Sequence, residues 1–433
     1  MGPKSIRAIK GGLLIKGTDD PSIQNPIVIV SNGSIEDVGS APALKIPAGA
    51  ETLDLGQAVL MPGMMDLHLH MAAPNAQDYD NTDLAHVIRS PAEMLLDAAK
   101  NARLLLEAGF TTVRDLDWIS GDGRNFCADL SSLREAIASG KLPGPRMVVA
   151  GFTHITGSHF DRIIPRNVER QTAYFGDGPW AMRRLARMNF RNGADLLKTC
   201  ISGGTGTFDC TEHVDDRNIH IDELKAIVDE AHAFRRTVAA HCHTPDSVRM
   251  ALLADVDTIE HCVFTDDDAI DKLASSGKYV VPTLAFREES VIEQRRARGT
   301  PDFVIEQMLE KRDISYETFQ RYLKAGIRIA MGTDTHVDPP FGENAREIEI
   351  YARLGMTPLQ AIQTATRNAA DALGLSGTLG TVEKGKIADL IAIDGNPLED
   401  VSLLRDRSRI QIVMKSGKIV IDRRQHGGIA GSA

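Results

Sequence analysis

The sequence predicts an α/β protein: a (β/α)8 or TIM barrel carrying a small β-sandwich domain formed from both chain termini. Three observations carry this prediction. Through the middle of the 433 residues, short apolar strand patterns alternate eight times with stretches of helical periodicity, the signature of a parallel barrel. Both ends instead show short strands punctuated by turn residues. An apolar run over 59–70 closes on His68-Leu69-His70, and residues two apart on a strand face the same way. A doubly wound open sheet is the alternative, disfavoured because no Gly-rich dinucleotide turn follows the opening strand.

Residues 1–61 and 381–433 are assigned to the small β domain and 62–380 to the barrel. At the amino end, 13–15, 26–30, 34–38 and 52–55 read as strands, with Ser31-Asn32-Gly33 as a turn. The same texture returns at 388–393 and 410–421. Between them the strands are expected at 59–70, 111–115, 147–151, 195–200, 237–243, 258–262, 279–284 and 327–334. Helices are expected at 92–108, 130–138, 179–190, 221–234, 245–253, 266–274 and 302–323, with further ones from 343 and 357.

Composition narrows the function. A hydrophobic share of 42% suits a large buried core. A net charge of −10 without long charged blocks argues against a nucleic-acid or anionic-membrane surface. No run reaches the ~18 apolar residues of a membrane helix, and Met1 to Arg7 lack the apolar core of a secretory signal. Five cysteines, Cys127, Cys200, Cys210, Cys242 and Cys262, form an odd set without C-x-x-C spacing. That suits reduced thiols in a cytoplasmic enzyme and no thiolate zinc knuckle.

Five of the eight strands end in a residue able to bind metal: His68 and His70 on the first, Lys198 on the fourth, His241 on the fifth, His261 on the sixth and Asp334 on the eighth. Any one of these has an ordinary structural explanation, such as a hydrogen-bonded core histidine or a helix cap. Together they fall on the barrel face that carries chemistry. Lys198 fits because a buried lysine tends to lose its proton, and a neutral amine takes up carbon dioxide to become an anionic carbamate with two oxygens. The expected site is therefore binuclear. His68, His70 and Asp334 hold one divalent ion, His241 and His261 the other, and carboxylated Lys198 bridges them.

The segments Pro62-Gly63-Met64-Met65-Asp66-Leu67-His68-Leu69-His70, Leu196-Leu197-Lys198, Ala240-His241-Cys242-His243, Ile259-Glu260-His261 and Gly332-Thr333-Asp334 resemble the amidohydrolase superfamily in order and spacing. The resemblance runs over nearly the whole chain, through Gly385-Lys386-Ile387-Ala388-Asp389-Leu390. It is strongest to the prolidase-like and ochratoxinase-like members with a carboxylated lysine. It implies two divalent ions, zinc foremost, a dipeptide or N-acyl amino acid substrate, and an assembly that is often an octamer.

In this reading Asp334 takes the proton of the attacking water and passes it to the departing amine. His243, two residues beyond His241, is a candidate for substrate contact or for an orienting role. The superfamily has a Gly-Gly-His element after the third strand, and Gly157-Ser158-His159 matches it with Ser as its second residue. His159 is thus a candidate for holding an oxyanion or a substrate carboxylate, with His154 competing. Arg162, Arg166 and Arg287 are candidate carboxylate partners, and Phe152, Phe160, Phe208 and Phe286 candidate pocket walls. The alternatives are hydrolysis of a cyclic amide, lactone or phosphotriester by the same ions, and a metal-free binding or assembly module.

Overall fold

The computed structural model describes residues 6–75, 78, 82–164, 166–204, 211–336 and 338–424. Cys210 and Phe208 lie outside the described residues. Eight strands form one sheet in chain order: Met64–Leu69, Phe110–Asp115, Arg146–Phe152, Leu196–Cys200, Thr237–Cys242, Thr258–His261, Tyr279–Val281 and Arg328–Ile329. Every neighbouring pair is parallel. Closure comes from the segment beyond the eighth strand. Leu67 donates its N–H to Met331 O (3.0 Å), Asp334 to His68 O (2.7 Å) and His70 to Thr335 O (2.8 Å). The sheet is therefore a (β/α)8 barrel whose eighth ladder is short, ending at Ile329 where the sequence pattern continues to Asp334.

The helices follow from periodicity and caps. Pro91–Glu107 opens with a Ser90–Glu93 capping box and buries Met94, Ala98, Ala102, Leu105 and Leu106 along one stripe. Pro245–Leu253 and Pro358–Thr364 start the same way, on Thr244 and Thr357 with proline in the first turn. Among the helices not anticipated from the sequence are Thr82–Ile88, Glu289–Ala297 and the single turn His159–Arg162. All three lie in connections after barrel strands, where local propensity is weak and packing decides. Among the described residues, no helix is long and apolar enough to cross a membrane.

The apolar run 59–70 divides between two sheets. Val59–Pro62 pairs antiparallel with Leu390–Ile393 in a six-stranded sheet, which also holds Leu13–Leu14, Ile23–Gln24, Ile410–Lys415 and Lys418–Asp422. Met64–Leu69 joins the barrel. Gly63 marks the crossing, because a Cβ there would lie 2.2 Å from Thr111 Oγ1, so only glycine lets the chain pass this close to the second strand. A four-stranded sheet, from Ile6–Lys10, Pro26–Ser31, Ser34–Ser40 and Glu51–Asp54, faces the six-stranded one. Ile9, Val28, Val30, Leu53, Leu60, Leu390, Ile412 and Met414 are buried in their shared core, as in a sandwich.

Candidate metal centre

The catalytic end of a barrel is where its strands run out, and there this backbone leaves ordinary geometry. Asp117, His261, Cys262, Thr283 and Asp334 all take positive φ, between 54° and 70°. Non-glycine residues rarely do so, and such conformations gather where the surrounding structure enforces them for function. One consequence is visible at the sixth strand. Glu260 and His261 are consecutive, yet both reach the same cluster of side chains, which strict alternation forbids. The left-handed backbone at His261 (φ 69°) and Cys262 (φ 54°) turns them to one side.

The predicted ligands converge as two triplets. His68, His70 and Asp334 form one, and His241, His243 and His261 the other; within each, the ligand atoms lie within 4.8 Å of one another. Asp334 Oδ1 lies 3.4 Å from His68 Nε2 and 3.2 Å from His70 Nε2, while Oδ2 lies 3.9 Å from His261 Nδ1. The triplets are contiguous, with the His68 and His261 rings 4.7 Å apart and those of His241 and His261 4.6 Å apart. His243, read from the sequence as a substrate or orienting group, stands among the potential ligands.

Each of four imidazoles has one nitrogen occupied by the protein. His68 Nδ1 meets Glu260 Oε2 at 2.8 Å, His70 Nδ1 the carbonyl of Asp117, His241 Nε2 the Gly203 carbonyl at 3.1 Å and His261 Nδ1 the Thr283 hydroxyl at 2.8 Å. For His68, His70 and His241 the partner is an acceptor oxygen, which places the proton on the bonded nitrogen and leaves the second as a lone-pair donor, the form a metal ligand requires; the Thr283 hydroxyl orients the His261 ring and can serve either tautomer. Burial, reinforced by the charge of Lys198, holds His68 at about 4, so its ring is neutral at pH 7. The His68–Glu260 contact is accordingly a neutral N–H donating to a carboxylate. Burial likewise pushes His241, His243 and His261 well below the usual histidine range.

Glu260 anchors this end of the site. It also accepts from Arg114 Nη2 (2.8 Å) and from the Thr258 hydroxyl (2.6 Å). Burial alone would raise its carboxyl; Arg114, His68 and Lys198 together outweigh that and hold it at about 2. Asp334 behaves similarly, its burial overcome by His68 and His70, so that it lies well below the ordinary carboxylate range. Lys198 is buried, and burial lowers its affinity for a proton against the pull of Glu260 and Asp334. A buried amine biased toward neutrality, amid two imidazole clusters, is the state from which a carbamate forms.

The remaining candidates divide. His159 stacks on His241 at 5.2 Å and 25°, at the edge of the second triplet. Arg287 is buried, donates to Thr283 O (3.4 Å), and is held near 10 by burial, with Asp334 and Glu347 as its counter-charges. His154 is turned away into an aromatic stack with Phe152 (4.3 Å) and Phe175 (5.2 Å); both its nitrogens are buried without a hydrogen-bond partner, and burial holds it near 3. Arg162 donates to Asp216 (2.7 Å) on the partly exposed rim, and Arg166 is exposed. Phe160 and Phe286 border the first triplet with two residues the sequence did not single out, Trp118 and His336. Trp118 lies 5.0 Å from His70 and stacks on His336 at 5.7 Å; Phe286 lies 5.0 Å from His336.

The groups that orient the ligands, Glu260, Asp117, Gly203 and Thr283, were also not singled out. Position in a motif was the only available signal. Glu260 adjoins His261, and Thr283 falls near the end of the seventh predicted strand, but which ring each one meets depends on the register between strands.

The model of the amidohydrolase family matches residues 59–420. Ochratoxinase from Aspergillus niger is 30% identical over 437 aligned residues, covering 96% of this chain and 86% of that protein. Among solved structures, a Xaa-Pro dipeptidase with methionine bound in its active site is similar at a TM-score of 0.84 and 29% identity, over 96% of this chain and 99% of the other. A prolidase complexed with N-methylphosphonate-L-proline is similar at a TM-score of 0.85 and 27% identity, over 97% of this chain and all of that one.

Proposed function

The chain belongs to the amidohydrolase family and is a hydrolase of C–N bonds, and from that premise we propose that it cleaves the amide of a dipeptide or N-acyl amino acid at a binuclear metal centre. The observation that supports this most is the convergence of six side chains able to bind metal in two contiguous triplets, with the tautomers of His68, His70 and His241 set by acceptor oxygens. His68, His70 and Asp334 would hold one divalent ion, His241 and His261 the other, with carboxylated Lys198 between them and His243 beside the second. The carbamate forms when the neutral Lys198 Nζ attacks carbon dioxide, making an N–C bond and releasing a proton. When bound, the ions supply a water acidified toward neutral pH and Lewis-acid polarisation of the scissile carbonyl.

The chain's own residues do the rest. Asp334 lies within reach of both triplets and is ionised in the resting state, which leaves its carboxylate open to accept the proton of the attacking water and deliver it to the amine nitrogen as the C–N bond breaks. His159 offers a ring nitrogen to the carbonyl oxygen as charge gathers there. Arg287, buried at this end of the barrel and within the electrostatic reach of Asp334, would supply a fork for the carboxylate of the amino-acid half. That pairing favours an amide whose leaving amine carries a carboxylate, as an Xaa-Pro dipeptide, for which one structural neighbour is named, does. Zinc as the resident ion and octameric assembly complete the proposal; elemental analysis and light scattering test them.

The deciding experiment measures free amino acid released from a panel of dipeptides and N-acyl amino acids by zinc-reconstituted protein, beside Lys198→Ala and Asp334→Asn. Turnover by the first and its loss in both variants is the expected result. Metal-loaded protein that cleaves no panel member, yet opens a lactone or a phosphotriester, overturns the amide assignment.

A further inference from the structure

His159 sits in a socket that the reaction described above does not by itself require. Its Nδ1 meets Glu212 Oε1 at 2.9 Å, and the Glu212 side chain is only 1% exposed against 16% for His159. The same carboxylate oxygen accepts the Gly204 N–H at 3.0 Å. Gly204 in turn makes room for the ring, since a Cβ there would lie 2.1 Å from His159 Cε1. The neighbouring carbonyl, Gly203 O, is the acceptor that orients His241. Asn218 Oδ1 takes the His159 backbone N–H, so the turn that carries the ring is tied to the same connection after the fourth strand.

We infer that Glu212 is a positioning residue for the amide cleavage, holding His159 by Nδ1 so that its Nε2 faces the substrate oxygen beside His241. With Nδ1 occupied by a carboxylate and the ring stacked on His241 at 25°, Nε2 is the nitrogen left for substrate. A carboxylate that fixes an imidazole's orientation and tautomer is a recurrent way to ready it for a developing negative charge. The sequence offered no sign of this, because Glu212 lies 53 residues from His159 in a stretch without regular secondary structure.

The inference rests on the amide-hydrolase reading, and its test separates the two. Glu212→Gln, His159→Asn and the double variant are compared with the parent in zinc-loaded form. In Glu212→Gln, kcat is expected to fall about 10- to 100-fold, the range for losing an orienting partner, with KM and bound metal per chain unchanged. The double variant should be no slower than His159→Asn to within about twofold, since residues acting through one another are not additive. Multiplied losses, or loss of metal in Glu212→Gln, overturn the inference, because Glu212 would then act independently of His159 or through the metal ligands. An activity-free readout decides the matter if no amide is cleaved. In 15N-histidine-labelled protein, with His159 resonances assigned by their loss in His159→Asn, Nδ1 should carry a proton shifted far downfield. That signal should move in Glu212→Gln and vanish in Glu212→Ala. A His159 protonated only on Nε2, or one indifferent to both Glu212 variants, sinks the proposal even with an active enzyme.

Discussion

Replacing Glu260 by Gln tests how the barrel interior supports the metal ligands. Three donors, from His68, Arg114 and Thr258, end on this one buried carboxylate. Gln keeps the shape but turns an N–H2 toward one of those donors and leaves the buried Arg114 guanidinium without a counter-charge. Breaking a buried pair in this way costs about 3–5 kcal/mol. A linkage argument gives a similar size: a carboxyl held at about 2 against its ordinary 4.5 contributes about 3 kcal/mol. Because the folded-state affinity for the proton is depressed, that stabilisation is complete above about pH 4.5 and disappears as pH falls through about 2. Urea unfolding of the metal-free protein should therefore show Glu260→Gln less stable by about 3–5 kcal/mol at pH 7, with the gap narrowing below pH 4.5. Adding Arg114→Met should recover most of the stability, since removing both charges can be nearly neutral. Metal affinity should stay about 10- to 100-fold weaker in both variants, because His68 has lost its acceptor. A stability loss under about 1 kcal/mol, or a gap that does not change with pH, would refute this account of Glu260.

Other substitutions probe separate parts of the design. Labelling with 13C-bicarbonate should produce a carbamate carbon resonance that disappears in Lys198→Ala; its absence from active parent protein would rule out the carboxylated lysine. Gly63→Ala should lower stability by about 1–3 kcal/mol through overpacking against Thr111, and Thr111→Ala in the same chain should restore most of it, as read by thermal unfolding. Gly332→Ala places a Cβ 2.8 Å from His68 Cβ and 2.9 Å from His68 N. Elemental analysis should then show less bound metal at a modest stability cost of about 1–3 kcal/mol, whereas full metal content would mean that the first strand yields without moving its histidines.

Much of the barrel was legible because periodicity is local. The helices Pro179–Arg191, Ile221–Ala233 and Pro245–Leu253 lie within a residue or so of their expected bounds, since amphipathic spacing and caps are written within a single turn. The candidate ligands could be gathered for a different reason. Alternation puts His68 and His70 on one face, and the barrel assigns the carboxyl ends of all its strands to one rim, so the candidates could be gathered without knowing a distance. What escaped is what depends on two remote segments meeting. The run through Gly63 reads as one strand, and only its two partners, Thr111 beside it and Leu390–Ile393 beyond it, divide it between sheets.

His154 and His159 show the same boundary at the scale of a side chain. Both lie in one connection, both are histidines, and composition cannot rank them. Packing against Phe152 and Phe175 removes His154 from the cluster, while Glu212 and the bare backbone of Gly204 seat His159 beside His241. The sequence by itself determined the architecture, the rim expected to carry chemistry and the residue types there that are able to bind metal, because these follow from period, propensity and ligand chemistry. Only the tertiary structure decided which acid, carbonyl or hydroxyl orients each ring, and so which nitrogen of His68, His70 and His241 is available. Those choices come from inter-strand register and left-handed backbone at Asp117, His261, Thr283 and Asp334, which packing imposes against local preference.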